Sequence, residues 1–221
     1  MKLVINALTK FLLGAVLLGV LIFLPAGTIE YFGGWLFMGV LFVPMFIMGV
    51  VMLIKSPELL KKRLDSKEKR GKQKGVVALS GLIFPLGMLL SSFDFRYSWS
   101  KVPMWLTVTA AALFLIGYGV YAEVMRENAY LSRTVEVQEG QKVISTGLYG
   151  MVRHPMYLAT MFMFLPLPLI LGSFWGLIPF ALYPIVIIAR IADEEKLLEQ
   201  ELDGYKEYKN KVKYRLIPFV W

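Results

Sequence analysis

Residues 155–189 read "PMYLATMFMFLPLPLILGSFWGLIPFALYPIVIIA" and carry no charged side chain. A membrane-spanning helix needs about 20 apolar residues, so this run is too long for a single span. Pro166, Pro168, Pro179 and Pro184 interrupt it, and "LGSFWG" at residues 171–176 supplies turn chemistry in its middle. The run is expected to fold back on itself as a tight hairpin of two helices. Both ends of such a hairpin emerge on one side of the membrane. His154 and the Arg190–Glu194 region, far apart in sequence, then become neighbours in space.

The rest of the chain reads the same way. Of its 221 residues 57% are hydrophobic, with mean hydropathy +0.60, against about 45–50% apolar for a soluble domain. Four further apolar runs lie at residues 3–24, 35–54, 76–90 and 103–121, the third somewhat short. The first is longer than the 7–15-residue core of a signal peptide, and "LPAGT" after it is a poor cleavage site, so the span is expected to be retained. Residues 55–75 hold nine Lys or Arg, which the positive-inside rule places in the cytoplasm. The expected fold is an all-α integral membrane protein of about six transmembrane helices, with both termini cytoplasmic. Residues 1–122 form a four-helix region and residues 123–221 a polar-flanked C-terminal region built around the hairpin.

Several classes drop out on composition. The chain has no cysteine, which removes disulfides, thiolate metal sites and a cysteine nucleophile. One histidine is too few for a histidine-based metal site. The net charge of +8 is accounted for by topology and attraction to anionic lipid. The basic loop has no interleaved aromatics and no nucleic-acid motif, so no nucleic-acid partner is expected.

The candidate site lies where the hairpin enters the membrane, at "GLYGMVRHPMYLA" (residues 147–159). Pro155 suits the first turn of a helix. His154 then sits at the helix start, where free N–H groups, the positive end of the dipole and Arg153 together suit an anionic group. Gly147 permits a turn, and Tyr149 and Tyr157 offer ring faces. Across from them, Arg190 and Glu194 are spaced i, i+4 on one helical face. Each feature also has a plain structural explanation: a topology-setting arginine, interfacial tyrosines, an ordinary helical ion pair. Their convergence on one spot favours a site for a zwitterionic or mixed-charge ligand.

These residues also carry a resemblance. "GLYGMVRHPMYLA", a proline-containing hairpin, "RIADEEKLL" and "GYKEYKNKVKYRLIP" together resemble the isoprenylcysteine carboxyl methyltransferase family, part of a wider group that includes phospholipid methyltransferases. The resemblance covers roughly residues 123–221. It implies S-adenosylmethionine as cofactor, held by Gln141, Lys142, Val143, Ile144, Tyr149, His154, Pro155, Met156, Tyr157 and Glu194. It implies Arg190 as the catalytic, substrate-facing residue. The family often has histidine where this chain has Gln141. The Gly-Thr-Gln-type hairpin sequence of the eukaryotic prenylcysteine enzymes is replaced here by "MFMFLPLPL", which bears on the acceptor more than on methyl transfer.

The implied function is methyl transfer at the cytoplasmic membrane face to a lipophilic or lipidated acceptor, with carboxyl O-methylation favoured. The membrane is the cell membrane in a prokaryote and the endoplasmic reticulum in a eukaryote. Two alternatives stand beside it. One is an NADPH-dependent reductase of the sterol-reductase-like fold, which has a similar C-terminal hairpin. The other is a non-enzymatic membrane scaffold.

Overall fold

The computed structural model describes residues 2–64, 71–131 and 137–221, and the side chains of residues 71–80 are outside that description. Ser66 and much of the basic 55–75 stretch therefore lie outside the described side chains. The described residues form helices and loops, with no strand among them. Three long helices, α1 (Lys2–Ala26), α2 (Phe32–Lys55) and α5 (Met104–Glu127), are long and apolar enough to cross a membrane. A short basic helix, α3 (Pro57–Leu64), follows α2. Lys10 of α1 donates to the Leu64 carbonyl at 2.7 Å, so the start of α1 and the basic segment share one end of the bundle.

The third expected span is longer than its apolar run suggested: α4 covers Gly71–Tyr97. Of the polar residues in its final turns, Ser91 and Asp94 are buried and bonded, Ser91 donating to the Gly87 carbonyl at 2.8 Å. Asp94 is fully buried at the end of the bundle away from the basic segment. Its carboxylate accepts from the Ser100 amide at 2.7 Å, the Ser100 hydroxyl at 2.5 Å and the Ser173 hydroxyl at 2.5 Å. Ser173 belongs to the hairpin tip, so this carboxylate ties the tip to α4.

The hairpin returns as expected, but not as two helices. It consists of α6 (Pro155–Phe164), α7 (Leu167–Ile170), α8 (Leu177–Phe180) and the start of α9 (Tyr183–Glu201). Proline has no amide hydrogen and clashes with the preceding turn, so each proline cluster restarts the helix. Carbonyls at the hairpin's tip turn must likewise be satisfied inside a membrane. Thr107 of α5 donates to the Leu169 carbonyl at 3.2 Å, and Tyr31 donates to the Leu171 carbonyl at 2.5 Å. The hairpin sits between α4 and α5. Its close fit to α5 depends on Gly117, where an added Cβ would lie 2.8 Å from Phe162 Cβ and 2.9 Å from the Ala159 carbonyl. That contact fixes α6, and with it the site residues at its start, against the end of α5. Beyond α9, Gly204 in the left-handed region turns the chain into α10 (Tyr205–Lys211).

Candidate functional site: a cavity at the basic end of the hairpin

Glu127, the last residue of α5, places the first wall of the site. Its carboxylate accepts from the Leu148 amide at 3.1 Å, at the start of a single 3-10 turn over Gly147–Gly150. Gly147 has φ +53°, and a Cβ there would fall 1.5 Å from Glu127 Oε1, so this position requires glycine. The turn presents Tyr149 inward. The Tyr149 hydroxyl accepts from Asn128 at 2.9 Å, and its carbonyl accepts from the Tyr208 hydroxyl at 2.7 Å. Burial raises the Tyr149 hydroxyl to about 12, against a smaller lowering by Asn128, so it stays protonated at neutral pH.

Pro155 occupies the first turn of α6 and His154 is its N-cap, as the sequence implied. The use made of the doorway cations differs from the expectation. Arg153 does not offer its charge to a ligand. It is buried, and its guanidinium donates to Glu195 Oε1 at 2.7 Å and to the Val212 and Lys213 carbonyls at 2.7 and 2.8 Å. The backbone amides of Arg153 and His154 are also taken, by the carbonyls of Tyr214 and Arg215, each at 2.9 Å. The anion at this helix start is thus Glu195 itself. Its other partners are the His154 ring at 3.3 Å and Arg215 at 3.0 Å. Burial alone would raise the Glu195 carboxyl. Hydrogen bonds from His154 and Arg153, with their charges, outweigh burial and hold it down at about 2. A buried carboxylate among three basic groups is a clamp that pins α9 to the start of α6.

One residue earlier on α9, Glu194 turns the other way. The Tyr157 hydroxyl donates to Glu194 Oε2 at 2.5 Å, and Arg190 Nε lies 3.3 Å from that hydroxyl. The Arg190 and Glu194 pair read from the i, i+4 spacing is therefore bridged by a tyrosine from the opposite arm of the hairpin. These three side chains line a cavity together with Gln141, Lys142, Val143, Ile144, Tyr149, His154, Pro155 and Met156. All eleven residues to which the resemblance gives a cofactor or substrate role thus line one cavity. The enclosed interior measures about 110 Å³, and its open mouth brings the empty space to about 880 Å³. A ligand larger than a few heavy groups therefore extends into the mouth.

Further wall residues were not singled out in the sequence. Leu197 and Leu198 of α9 and Leu202 just after it supply an apolar side, and Tyr205 and Tyr208 close it from α10. Tyr205 matters most for chemistry. The residue is buried, and its hydroxyl finds no hydrogen-bond partner among the described residues. A buried hydroxyl left unpaired costs roughly 1–3 kcal/mol, so an orphan on a cavity wall marks where a ligand's polar group belongs. The repeated tyrosines of "GYKEY" were visible in the sequence, but their direction depends on the turn at Gly204. Glu195 was visible as the second of two glutamates, with no sequence cue to separate it from the first.

The geometry can be set beside known proteins. Residues 105–203 match the phospholipid methyltransferase family. The match runs from the start of α5 to just past α9 and takes in the whole hairpin and every site residue read from the sequence. This part of the chain is thus similar to phospholipid methyltransferases. A stretch of 92 residues is also 33% identical to the Delta(14)-sterol reductase TM7SF2 of Mus musculus, covering 40% of this chain and 22% of that protein. The chain spans about a fifth of the length of this curated relative. Tyr205 and Tyr208 fall just outside the matched family segment.

Proposed function

We propose that the protein is an S-adenosylmethionine-dependent methyltransferase acting on a lipophilic or membrane-embedded acceptor at the cytoplasmic face. A carboxyl group on an isoprenylcysteine-like or related amphiphile is the favoured acceptor. The observation that carries this reading is the convergence of the eleven motif residues on one cavity at the basic end of the bundle. The family match over residues 105–203 gives it a reaction class.

The residues present fit the cofactor. The molecule is zwitterionic in its amino-acid part, cationic at sulfur and aromatic at the base. Glu194 offers a carboxylate for an ammonium or ribose hydroxyl, and the orphaned Tyr205 hydroxyl offers a donor for a polar oxygen. Tyr149, Tyr157 and Tyr208 give ring faces, and cation–π contact with a sulfonium contributes about 0.5–2 kcal/mol. When bound, S-adenosylmethionine supplies an electrophilic methyl group.

The chain's own contribution is placement and dryness. Leu197, Leu198, Val143 and Ile144 keep water from the interior. Glu195 holds His154 and α9 in register, so Tyr157 meets Arg190 and Glu194 at fixed distances. The Arg190 guanidinium lies one turn nearer the apolar start of α9 than Glu194 and orients an anionic acceptor by paired hydrogen bonds. A carboxylate acceptor is already a nucleophile and needs no base.

The reductase reading is kept by the mouse relative, and Lys142 at the cavity rim is a group that could meet a 2′-phosphate. A binding titration of the full chain in detergent separates the readings. Saturable S-adenosylmethionine binding without NADPH binding supports methyl transfer. The opposite result supports the reductase. Neither ligand binding leaves the scaffold.

A further inference from the structure

After α10 the chain returns toward the apolar part of the molecule. Leu216 is buried in the cluster that holds Tyr157, Tyr183, Ile187 and Ile191, and Trp221 packs against the same cluster. Tyr183 and Ile187 lie in the apolar first half of α9, at the hairpin's second arm. The last residues thus lie beside the membrane-embedded hairpin. They are shaped into a tight loop: the Leu216 and Ile217 amides both donate to the Trp221 carbonyl at 2.9 and 3.0 Å, and the Val220 and Trp221 amides both donate to the Ile217 carbonyl at 3.1 Å. The loop requires Phe219 to adopt φ +65°, a conformation that bulky side chains disfavour. Its effect is to turn apolar groups outward. Phe219 is 86% exposed and Val220 74% exposed, and Ile217 is exposed as well.

Beside this apolar tip lies a second cavity of about 540 Å³, which shares Arg153 with the first. Its walls include Arg153, Lys209, Lys213, Arg215 and Trp221, and among the described residues no acidic side chain lines it. The Arg215 guanidinium stands over the Trp221 ring at 5.3 Å. Glu195 pairs with Arg153 and Arg215, and Glu199 with Lys209, so two carboxylates pair with three of these four cations. The cleft is left with a positive excess, to which exposed Lys213 contributes. Outward apolar side chains, an interfacial tryptophan and a basic cleft between them match the two parts of a phospholipid: acyl chain below, anionic headgroup above.

We propose that this cleft is a docking site for the headgroup of an anionic phospholipid, with Ile217, Phe219 and Val220 inserted into the surrounding leaflet. The cleft shares one wall residue, Arg153, with the proposed methyl-transfer cavity, and its test does not depend on that reading. The loop acts as a clasp that holds α10 and the end of α9 down on the membrane surface.

The experiment uses the full chain in lipid nanodiscs. The fluorescence of Trp221 is isolated as the difference between the parent and Trp221→Phe. Its quenching is measured with shallow-brominated phosphatidylglycerol diluted into phosphatidylcholine, and again with brominated phosphatidylcholine at the same mole fraction. The expected result is quenching about twofold stronger with the anionic lipid. Lys213→Glu should erase the difference and Lys213→Arg should keep it. Phe219→Ser with Val220→Ser should lower quenching by both lipids. Equal quenching by the two lipids in the parent overturns the proposal. So does loss of the difference on adding inorganic phosphate at matched ionic strength, because the cleft would then be reading a free anion.

Discussion

Two adjacent glutamates are given opposite work, and that separation can be broken experimentally. Glu195 is a buried clamp with Arg153 at 2.7 Å, Arg215 at 3.0 Å and His154 at 3.3 Å. Its carboxyl is held at about 2, against an ordinary value of 4.5. A depression of that size corresponds to about 3 kcal/mol of folding stability. The figure agrees with the roughly 3–5 kcal/mol lost when one partner of a buried pair is removed. Because the folded value lies below the unfolded one, this stability is fully present above about 4.5 and is lost as the pH falls toward 2. Glu195→Gln removes the charge and points an amide N–H toward a guanidinium. It should lower the melting temperature in detergent by roughly 6–12 °C at pH 7. It should also flatten the acid limb of the stability profile. Glu194→Gln should do neither. It should weaken S-adenosylmethionine binding by roughly ten- to a hundredfold, the loss of a charge-assisted hydrogen bond. The assays are thermal unfolding across pH 2–7 and one isothermal titration per variant. If Glu195→Gln unfolds no earlier than the parent, or Glu194→Gln loses stability and keeps the cofactor, the division between the two glutamates is wrong.

Tyr205→Phe removes a hydroxyl that has no described protein partner, so the melting temperature should hold or rise slightly while cofactor affinity falls by about two- to tenfold; a drop in stability at unchanged affinity would show that the hydroxyl serves the fold. Arg190→Ala should leave S-adenosylmethionine binding within about threefold of the parent and nearly abolish turnover, and Arg190→Lys should rescue turnover only in part because the planar fork is lost; cofactor loss in Arg190→Ala would move this residue to the cofactor. Gly147→Ala should displace Glu127 from the Leu148 amide and strain a positive φ, lowering stability by about 1–2 kcal/mol together with cofactor affinity, read by the same melting and titration measurements. A cysteine introduced at Ser98, beyond the end of α4, should be labelled by an impermeant reagent only from outside the cell; labelling from the cytoplasm would invert the proposed orientation and put the cavity on the wrong side for a cytosolic cofactor.

Much of this molecule was legible in its sequence. Hydropathy fixed the all-helical membrane class, since backbone groups in hydrocarbon must be paired within the segment. The charge-free run at 155–189 required a fold-back, because it is too long for one span. That topology brought His154 and Tyr157 to Arg190 and Glu194, and the structure places all eleven motif residues around one cavity. Local chemistry was equally plain at Pro155, which begins α6, and at Gly147, whose φ no other residue accepts easily. Tertiary structure decided the rest. The hairpin is four helical pieces instead of two, because its prolines interrupt the helical ladder, and Thr107 and Tyr31 reach in to bond the Leu169 and Leu171 carbonyls at its tip. Arg153 reads in sequence as an offered cation, yet a carboxylate forty-two residues away neutralises it. Glu194 and Glu195 are chemically identical in a sequence. Only their 100° separation around α9, set against the fixed start of α6, turns one into the cavity and the other into the clamp. Tyr205 became a wall residue for the same kind of reason: its orientation follows from a turn at Gly204 and packing against α9, and no local pattern encodes the pairing of surfaces that lie far apart along the chain.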